Sequence, residues 1–202
     1  MRRSTIVIIS ISLIIFLLSA CTSPLRQTGY LKNYKQLRPG KYLEQLWSDP
    51  ERIAQGQYRK IVIGRIEARV VDTEKVTGEE ACNWLRFAVL GNTTLPEALV
   101  LGTQTGKIAK LGLAITEMTP GSAFARIMAG ELGAGHAWIQ IEGRVTDDES
   151  GVLLVSFADR RRGSGAHGLR DLAGDSGPAM VREGIAAIGR AIRAELAREF
   201  GL

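Results

Sequence analysis

The chain has 202 residues, a length that suits one domain, or one domain with a tether. Its composition, 45% hydrophobic and 23% charged, is that of an ordinary globular protein. The net charge of +5 comes from basic residues scattered along the chain, apart from the run Arg160-Arg161-Arg162. Nucleic-acid binders usually cluster such residues with interleaved aromatics, so no nucleic-acid partner is expected.

The first 20 residues have the three parts of a secretory signal. Arg2 and Arg3 form the charged start, an apolar block runs from Ile6 to Leu18, and small residues follow. The block has 13 residues, whereas a membrane-spanning helix needs about 20. We therefore expect residues 1–20 to be a cleaved signal peptide.

Leu18-Ser19-Ala20-Cys21 resembles the lipobox of bacterial lipoproteins. That resemblance implies cleavage before Cys21 and acylation of its thiol, usually with acylation of the new amine. Two or more acyl chains give stable anchoring, at about 0.8 kcal/mol per buried CH₂. The alternatives are a soluble cleaved signal or an uncleaved anchor. Thr22 follows the cysteine. In enterobacterial sorting rules an aspartate at this position retains a lipoprotein in the inner membrane, so we expect this chain to lie in the outer membrane and to face the periplasm.

Once Cys21 is lipidated, Cys82 has no intrachain partner, which excludes a disulfide framework. Cys82 is expected to be a small buried hydrophobic residue. Residues 21–58 are predicted to be the lipidated N-terminus and a tether, because 22–40 are rich in proline, glycine and polar residues. Within this tether, Tyr30, Leu31, Tyr34 and Leu37 are expected to be able to pack locally on the domain. Within 41–57, Asp49-Pro50-Glu51 predicts a turn, or a short helix with proline in its first turn.

Residues 59–202 are predicted to form the globular domain. Residues 60–71 begin apolar and then alternate, which predicts a strand. Thr77 and Glu80 match a capping box at the start of a helix that reaches Leu90. A second short helix is expected around Pro96–Leu101, and a strand over Ile108–Met118.

A further short helix is predicted over Ser122–Glu131. Alternating residues then predict a β-hairpin, with strands over Ala137–Val145 and Val152–Ala158 joined by a polar turn. A glycine-rich loop over Arg160–Gly177 precedes a final helix over Pro178–Phe200, which carries an apolar stripe.

This order of elements predicts an α+β fold, a two-layer sandwich with helices packed on one face of a small, mainly antiparallel sheet. Four stretches resemble a family of uncharacterised bacterial lipoproteins, domain of unknown function 3313. The stretches run from Thr28-Gly29-Tyr30-Leu31 to Leu37-Arg38-Pro39-Gly40, over Thr116–Ser122, through Gly133-Ala134-Gly135 and over Phe157–Arg161. The resemblance implies an envelope lipoprotein without established catalytic residues.

The motifs that could carry chemistry are incomplete. Gly163-Ser164-Gly165-Ala166-His167-Gly168 matches G-x-G-x-x-G, but the predicted hairpin and loop do not provide the parallel strand–helix unit that a dinucleotide site needs. Gly102–Lys107 is one residue short of a P-loop. No histidine pair or HExxH motif predicts a metal site. The sequence predicts neither a cofactor nor a catalytic group.

We therefore expect a non-enzymatic envelope lipoprotein, an adaptor or assembly factor that binds an envelope protein or copies of itself. One alternative is a carrier with an apolar pocket lined by residues such as Ile115, Ile141 and Ile188. Another is a cell-envelope hydrolase in which His136, His167 and Asp159 converge. Arg160, Arg161 and Arg162 are the one cluster expected to contact an anionic surface.

Overall fold

The computed structural model describes residues 25–70, 73, 75–91, 99–102, 106–119, 137–162 and 176–202. These ranges contain three helices and six strands. In chain order the elements are β1 (Gln45–Ser48), α1 (Pro50–Gly56), β2 (Tyr58–Ala68), α2 (Gly78–Leu90), β3 (Leu99–Gly102), β4 (Lys107–Thr119), β5 (Trp138–Asp147), β6 (Leu153–Arg162) and α3 (Ser176–Phe200).

The strands form one mixed sheet in the order β1-β6-β5-β4-β2-β3. β2 and β4 are parallel, and the other neighbours are antiparallel. Parallel neighbours need a long crossover, and here that connection contains α2. Irregular register, for example between Ile63 and Ile66 and between Ile115 and Glu117, interrupts several ladders. Such bulges bend strands, and the sheet curls into a half-barrel.

The predicted fold class is therefore wrong. The sheet is mixed because β2 and β4 pair in parallel. It is also larger than expected, because two further strands join it through non-local pairing. β1 lies in a polar stretch assigned to the tether, but it pairs with β6 at the other end of the chain. β3 lies where a short helix was predicted, and it pairs with β2.

Other local predictions are confirmed. The hairpin exists as β5 and β6, and the strand predicted over Ile108–Met118 is β4. Helix α1 begins at Pro50. The helix predicted over Ser122–Glu131 and most of the glycine-rich loop lie outside the described residues, although β6 continues to Arg162.

The capping box of α2 is also confirmed. The Thr77 side chain accepts from the N–H of Glu80, and the Glu80 carboxylate accepts from the N–H of Thr77. Two N–H groups that the first turn would leave unpaired are thereby satisfied.

The helices cover the inner face of the sheet, where most of the apolar residues meet. The stripe predicted on α3 is buried against residues of β2, β4, β5 and β6; its members are Val181, Ile185, Ile188, Ile192 and Leu196. Each fully buried aliphatic side chain contributes about 1.5–3 kcal/mol. A Cβ on Gly189 would lie 2.5 Å from that of Ala88, so this glycine lets α3 approach α2.

The opposite face of the sheet, the outer face, is covered by residues Leu25–Leu37, here called the N-terminal segment. Tyr30, Leu31 and Leu37 form a second apolar cluster with Ala114 and Ala158 of the sheet. The chain thus crosses one face of the sheet before it enters β1 at the edge.

Candidate functional site

Strand β5 presents polar residues to the outer face. Ile139, Ile141 and Val145 point into the core, so alternation places Gln140 and Glu142 on the other side. Both polar side chains are nevertheless 0% exposed. They are buried because the N-terminal segment lies over them.

Four side chains donate hydrogen bonds to the carboxylate of Glu142. The hydroxyls of Thr28 and Tyr34 donate at 2.5 Å each. Thr116 Oγ1 and Gln140 Nε2 donate at 2.9 Å each. Two of these donors belong to the N-terminal segment and two to the sheet, so the carboxylate joins the two parts.

Two further contacts fix the path of the N-terminal segment. The side chain of Gln140 pairs with the backbone of Arg26, accepting from its N–H at 2.9 Å and donating to its carbonyl at 2.7 Å. The phenolic oxygen of Tyr34 accepts from the N–H of Thr28 and of Gly29, each at 3.1 Å. The segment is therefore held through its backbone as well as its side chains.

This arrangement serves attachment and not catalysis. A general base needs a free lone pair within reach of substrate, whereas the Glu142 carboxylate is buried and accepts four hydrogen bonds. Leaving the buried side chain of Gln140 or Glu142 unpaired would cost about 1–3 kcal/mol of folding free energy. The network therefore selects one position of the segment on the sheet.

The arginine cluster predicted to contact an anionic surface is divided by the strand. Arg160 points to the outer face, where its side chain is 2% exposed and forms a bidentate pair with Glu117 at 2.6 and 2.9 Å. Its guanidinium also lies 4.3 Å from the ring centre of Trp138. Arg160 is thus an internal structural residue.

Arg161 and Arg162 differ from Arg160 in exposure. The Arg161 guanidinium pairs with buried Asp159 at 2.7 Å and donates to the carbonyl of Tyr42 at 2.9 Å, with 32% of its side chain exposed. Arg162, at the end of β6, is exposed. Contact with an anionic surface stays a prediction for these two.

The residues of the enzyme and carrier alternatives do not form a site in the described structure. His136, His167 and Cys21 lie outside the described residues, and Asp159 is buried beside Arg161. Ile115, Ile141 and Ile188 are 0% exposed and pack in the core. In the carrier alternative these three isoleucines line a solvent-reachable pocket, and the packed core does not provide it.

A cavity of about 280 Å³ is lined by the N-terminal segment and by the parts of β5 and β6 nearest to the turn that joins them. Its charged lining residues are Lys32 and Arg144, and its polar ones include Asn33, Thr146 and Ser156. The Oγ atom of Ser156 is buried and has no hydrogen-bond partner. Lysine, arginine and hydroxyl groups together suit a small anionic or polyhydroxyl molecule.

A second polar cluster lies at the far end of β5, around buried Asp147. Its carboxylate accepts from the Tyr58 hydroxyl at 2.6 Å, Lys107 Nζ at 2.9 Å and the N–H of Ser150 at 2.7 Å. The hydrogen bond from Tyr58, then those from Lys107 and Ser150, hold the pKa of Asp147 well below its usual range. Burial, together with Asp147, raises the pKa of Tyr58. The cluster locks the turn between β5 and β6 to β2.

Sequence reasoning missed both buried carboxylates. Glu142 follows the alternating pattern of a strand with one wet face, and Asp147 lies in the stretch predicted to be a polar turn. The prediction that apolar residues of the tether pack on the domain is confirmed for Tyr30, Leu31 and Leu37, but it did not reveal the carboxylate beneath the segment. Cys82, which was expected to be buried, is half-buried on α2, and this partial burial raises the pKa of its thiol.

In the described ranges, no helix combines the length and apolar character that a membrane span requires. The same ranges hold no group of three or more histidine, cysteine or carboxylate residues that could bind a metal ion.

No family model and no curated protein matches the sequence. Solved structures share a limited similarity of fold. One is the dodecamer of a PelC point variant from Paraburkholderia phytofirmans, 14% identical, covering 68% of this chain and 88% of its own, with a TM-score of 0.38. Another is an inferred lipoprotein from Caulobacter crescentus CB15, which is 12% identical. The match covers 76% of this chain and 98% of the lipoprotein, with a TM-score of 0.35.

A third is a protein of domain of unknown function 330 from Xanthomonas campestris, 13% identical, covering 70% of this chain and 85% of its own, with a TM-score of 0.43. At these identities and TM-scores the similarity assigns neither a family nor an activity to this chain.

Proposed function

We propose that the chain is a lipid-anchored protein of the bacterial cell envelope, carried by acyl chains on Cys21, whose folded body is a non-enzymatic adaptor or assembly factor. The leader and Leu18-Ser19-Ala20-Cys21 support the anchor. Thr22 favours the outer membrane, facing the periplasm. Membership of domain of unknown function 3313 belongs to the same proposal.

One observation carries the adaptor role: the stretch that follows Cys21 is fastened to the sheet. Gln140 holds the backbone of Arg26 and Glu142 holds Thr28 and Tyr34. Five residue steps separate Cys21 from Arg26, which is at most about 18 Å of extended chain. A lipid on Cys21 would hold the body at the membrane surface instead of releasing it on a long tether.

Such a body suits the presentation of a fixed surface to another envelope protein, or to a second copy of the chain. A buried polar network makes the attachment specific at some cost in stability. A freely diffusing carrier or enzyme would gain little from this restraint. The single-position attachment therefore favours an adaptor.

The anchor is tested by growing cells with an alkyne fatty acid and measuring label on the chain. We expect labelling of the unaltered chain and of Cys82→Ala, and none of Cys21→Ser. The Cys82→Ala variant is the matched control, since it removes the other cysteine. Equal labelling of Cys21→Ser would overturn the anchor.

The adaptor role is tested by crosslinking in intact cells, followed by mass spectrometry of complexes purified from solubilised membranes. We expect one reproducible partner, either an envelope protein or the chain itself. Crosslinks should be lost when Glu142→Gln and Tyr34→Phe are combined, because the body would no longer be held in position. A monomer without reproducible crosslinks would contradict the adaptor role.

A further inference from the structure

The end of the sheet at which the N-terminal segment enters has an unusual surface. Gln140, which holds Arg26, is opposite Arg160, and Trp138 is opposite Arg162. The same end is reached by Tyr42, whose carbonyl accepts from Arg161. We call Arg26, Lys41, Arg161 and Arg162 the basic end.

Three of the four cations at the basic end are exposed, whereas their acidic neighbours are buried or half-buried. The Arg26 side chain is 68% exposed, and Lys41 and Arg162 are also exposed. Three carboxylates lie among these cations. Glu117 is 11% exposed and pairs with Arg160 and Arg26, Asp159 is 2% exposed and pairs with Arg161, and half-buried Glu44 accepts from the N–H of Arg160. With Arg160 included, five cations lie among three carboxylates, so the net charge of this end is positive.

The opposite end of the hairpin has balanced charge. The turn between β5 and β6 carries exposed Asp148 and Glu149, but Lys110 pairs with Asp148 and Lys107 pairs with buried Asp147. β5 has 10 residues, which span about 33 Å. This separation exceeds the Debye length of about 8–10 Å in physiological salt, so a charged surface at one end acts on that end alone.

We propose that the basic end is the membrane-facing surface of the body and contacts anionic phospholipid headgroups. This inference rests on the anchor at Cys21 and adds an orientation to it. At most about 18 Å of chain joins the lipid to Arg26. The basic end is therefore the part of the body that the anchor holds nearest to the membrane surface. Tyr42, 43% exposed beside Lys41, is an aromatic of the kind enriched at membrane interfaces.

Each lysine or arginine near an anionic surface strengthens attachment by about fivefold. Loss of three exposed cations should weaken attachment of this end by up to about a hundredfold. Arg160 adds nothing to this attraction because its guanidinium is internal. The four residues of the basic end thus replace the consecutive arginines as the contact surface.

The test uses the lipidated chain purified from membranes and reconstituted into vesicles of phosphatidylcholine with phosphatidylglycerol and a headgroup-linked quencher. A fluorophore is attached at Thr119→Cys, beside Trp138 at the basic end, or at Gln55→Cys on α1. Both are exposed neutral positions, and Cys82→Ala removes the remaining thiol. We expect strong quenching at position 119 and little at position 55.

The charge variant combines Arg26→Ser, Lys41→Ser and Arg162→Ser. Its matched control, Arg65→Ser with Arg86→Ser and Arg190→Ser, removes the same charge from exposed positions elsewhere. We expect most of the quenching at position 119 to be lost in the charge variant. A chain with unaltered charges should show the same loss with pure phosphatidylcholine vesicles or in high salt. The control variant should retain the quenching.

The possible failures are distinguishable. A chain that does not remain with the vesicles overturns the anchor itself. A chain that remains, with position 55 quenched as strongly as position 119, overturns the orientation. Quenching at position 119 that is indifferent to salt, lipid charge and the charge variant overturns headgroup contact.

Discussion

Gly143 provides the space that the largest fully buried side chain of β6 requires. The ring of Phe157 lies across its cross-strand neighbour Gly143, and a Cβ there would be 2.1 Å from the ring. The residue is a glycine because of this approach and not because of its backbone angles. The ring is part of the apolar core on the inner face of the sheet, so its position affects packing there.

Gly143→Ala is expected to destabilise the protein by about 1–3 kcal/mol through overpacking, measured from urea unfolding. Gly112→Ala is the control, since its Cβ would meet nothing closer than 3.4 Å. In a protein that also carries Phe157→Leu, the loss of unfolding free energy caused by Gly143→Ala should be smaller. An equal cost in both backgrounds would mean that the ring is not the obstacle.

Glu142→Gln is expected to lower the free energy of unfolding by about 2 kcal/mol. Hydrogen bonds to a charged group contribute about 1.5–3 kcal/mol each, and only part of the network is lost. Tyr34→Phe removes one donor, so a double-mutant cycle should give a coupling of about 1 kcal/mol. Glu149→Gln, at an exposed carboxylate, is the control. Additive effects of the two changes would refute the network.

At the residue scale, sequence reasoning succeeded where a side chain acts locally. Thr77 and Glu80 are three residues apart, so their pairing is visible in the sequence. Glu142 and Arg160 are paired with residues far along the chain, at positions 28, 34 and 117. No local pattern distinguishes such buried charges from those on a wet strand face.

At the scale of elements, the first strand depends on the last helix. Buried Glu195 of α3 accepts from the N–H of Tyr42 at 2.6 Å and of Leu43 at 3.1 Å, and it pairs with Arg198. These contacts position the chain as it enters β1, and β1 then pairs with β6. The strand has only four residues, so its own sequence could not predict it.

Helix α2 offers a test of a local element. Thr77→Ala should destabilise the protein by about 1 kcal/mol, because the N–H of Glu80 loses its acceptor at the helix start. Thr77→Ser keeps the hydroxyl and should restore most of that loss. Thermal unfolding followed by circular dichroism measures both; equal midpoints for the serine and alanine variants would argue against the cap.

For the whole molecule, the hairpin and the long helix were predictable because their patterns repeat over short distances. The parallel pairing of β2 with β4 was not, since no residue of either strand specifies its neighbour. The curl arises from bulges within ladders, which the alternation of side chains does not reveal. Topology was therefore the part of the fold that sequence reasoning missed.

Acid should destabilise the whole fold. The Tyr58, Lys107 and Ser150 donors lower the pKa of Asp147. Burial alone would raise that of Glu195, but the N–H of Tyr42 and Arg198 hold it below its ordinary value. Carboxyls with a lowered folded pKa stabilise fully above their unfolded values, near pH 4, and lose this stabilisation as pH falls through the folded ones.

The urea midpoint should therefore decrease below about pH 4. Asp147→Asn should flatten this decrease, whereas Glu183→Gln, at an exposed position on α3, should leave the profile unchanged. A profile of the Asp147→Asn variant parallel to that of the unaltered protein would show that this carboxyl does not govern acid stability.

The long reach of the contacts made by the N-terminal segment has a consequence for biosynthesis. The partner of Arg26, Gln140, lies 114 positions later in the chain. The partner of Tyr42, Glu195, lies 153 positions later. Because synthesis is vectorial, the beginning of the chain stays unpaired until almost all of it has emerged. Contacts between residues so far apart in the chain form slowly, so the N-terminal segment should settle on the sheet after the local elements have formed.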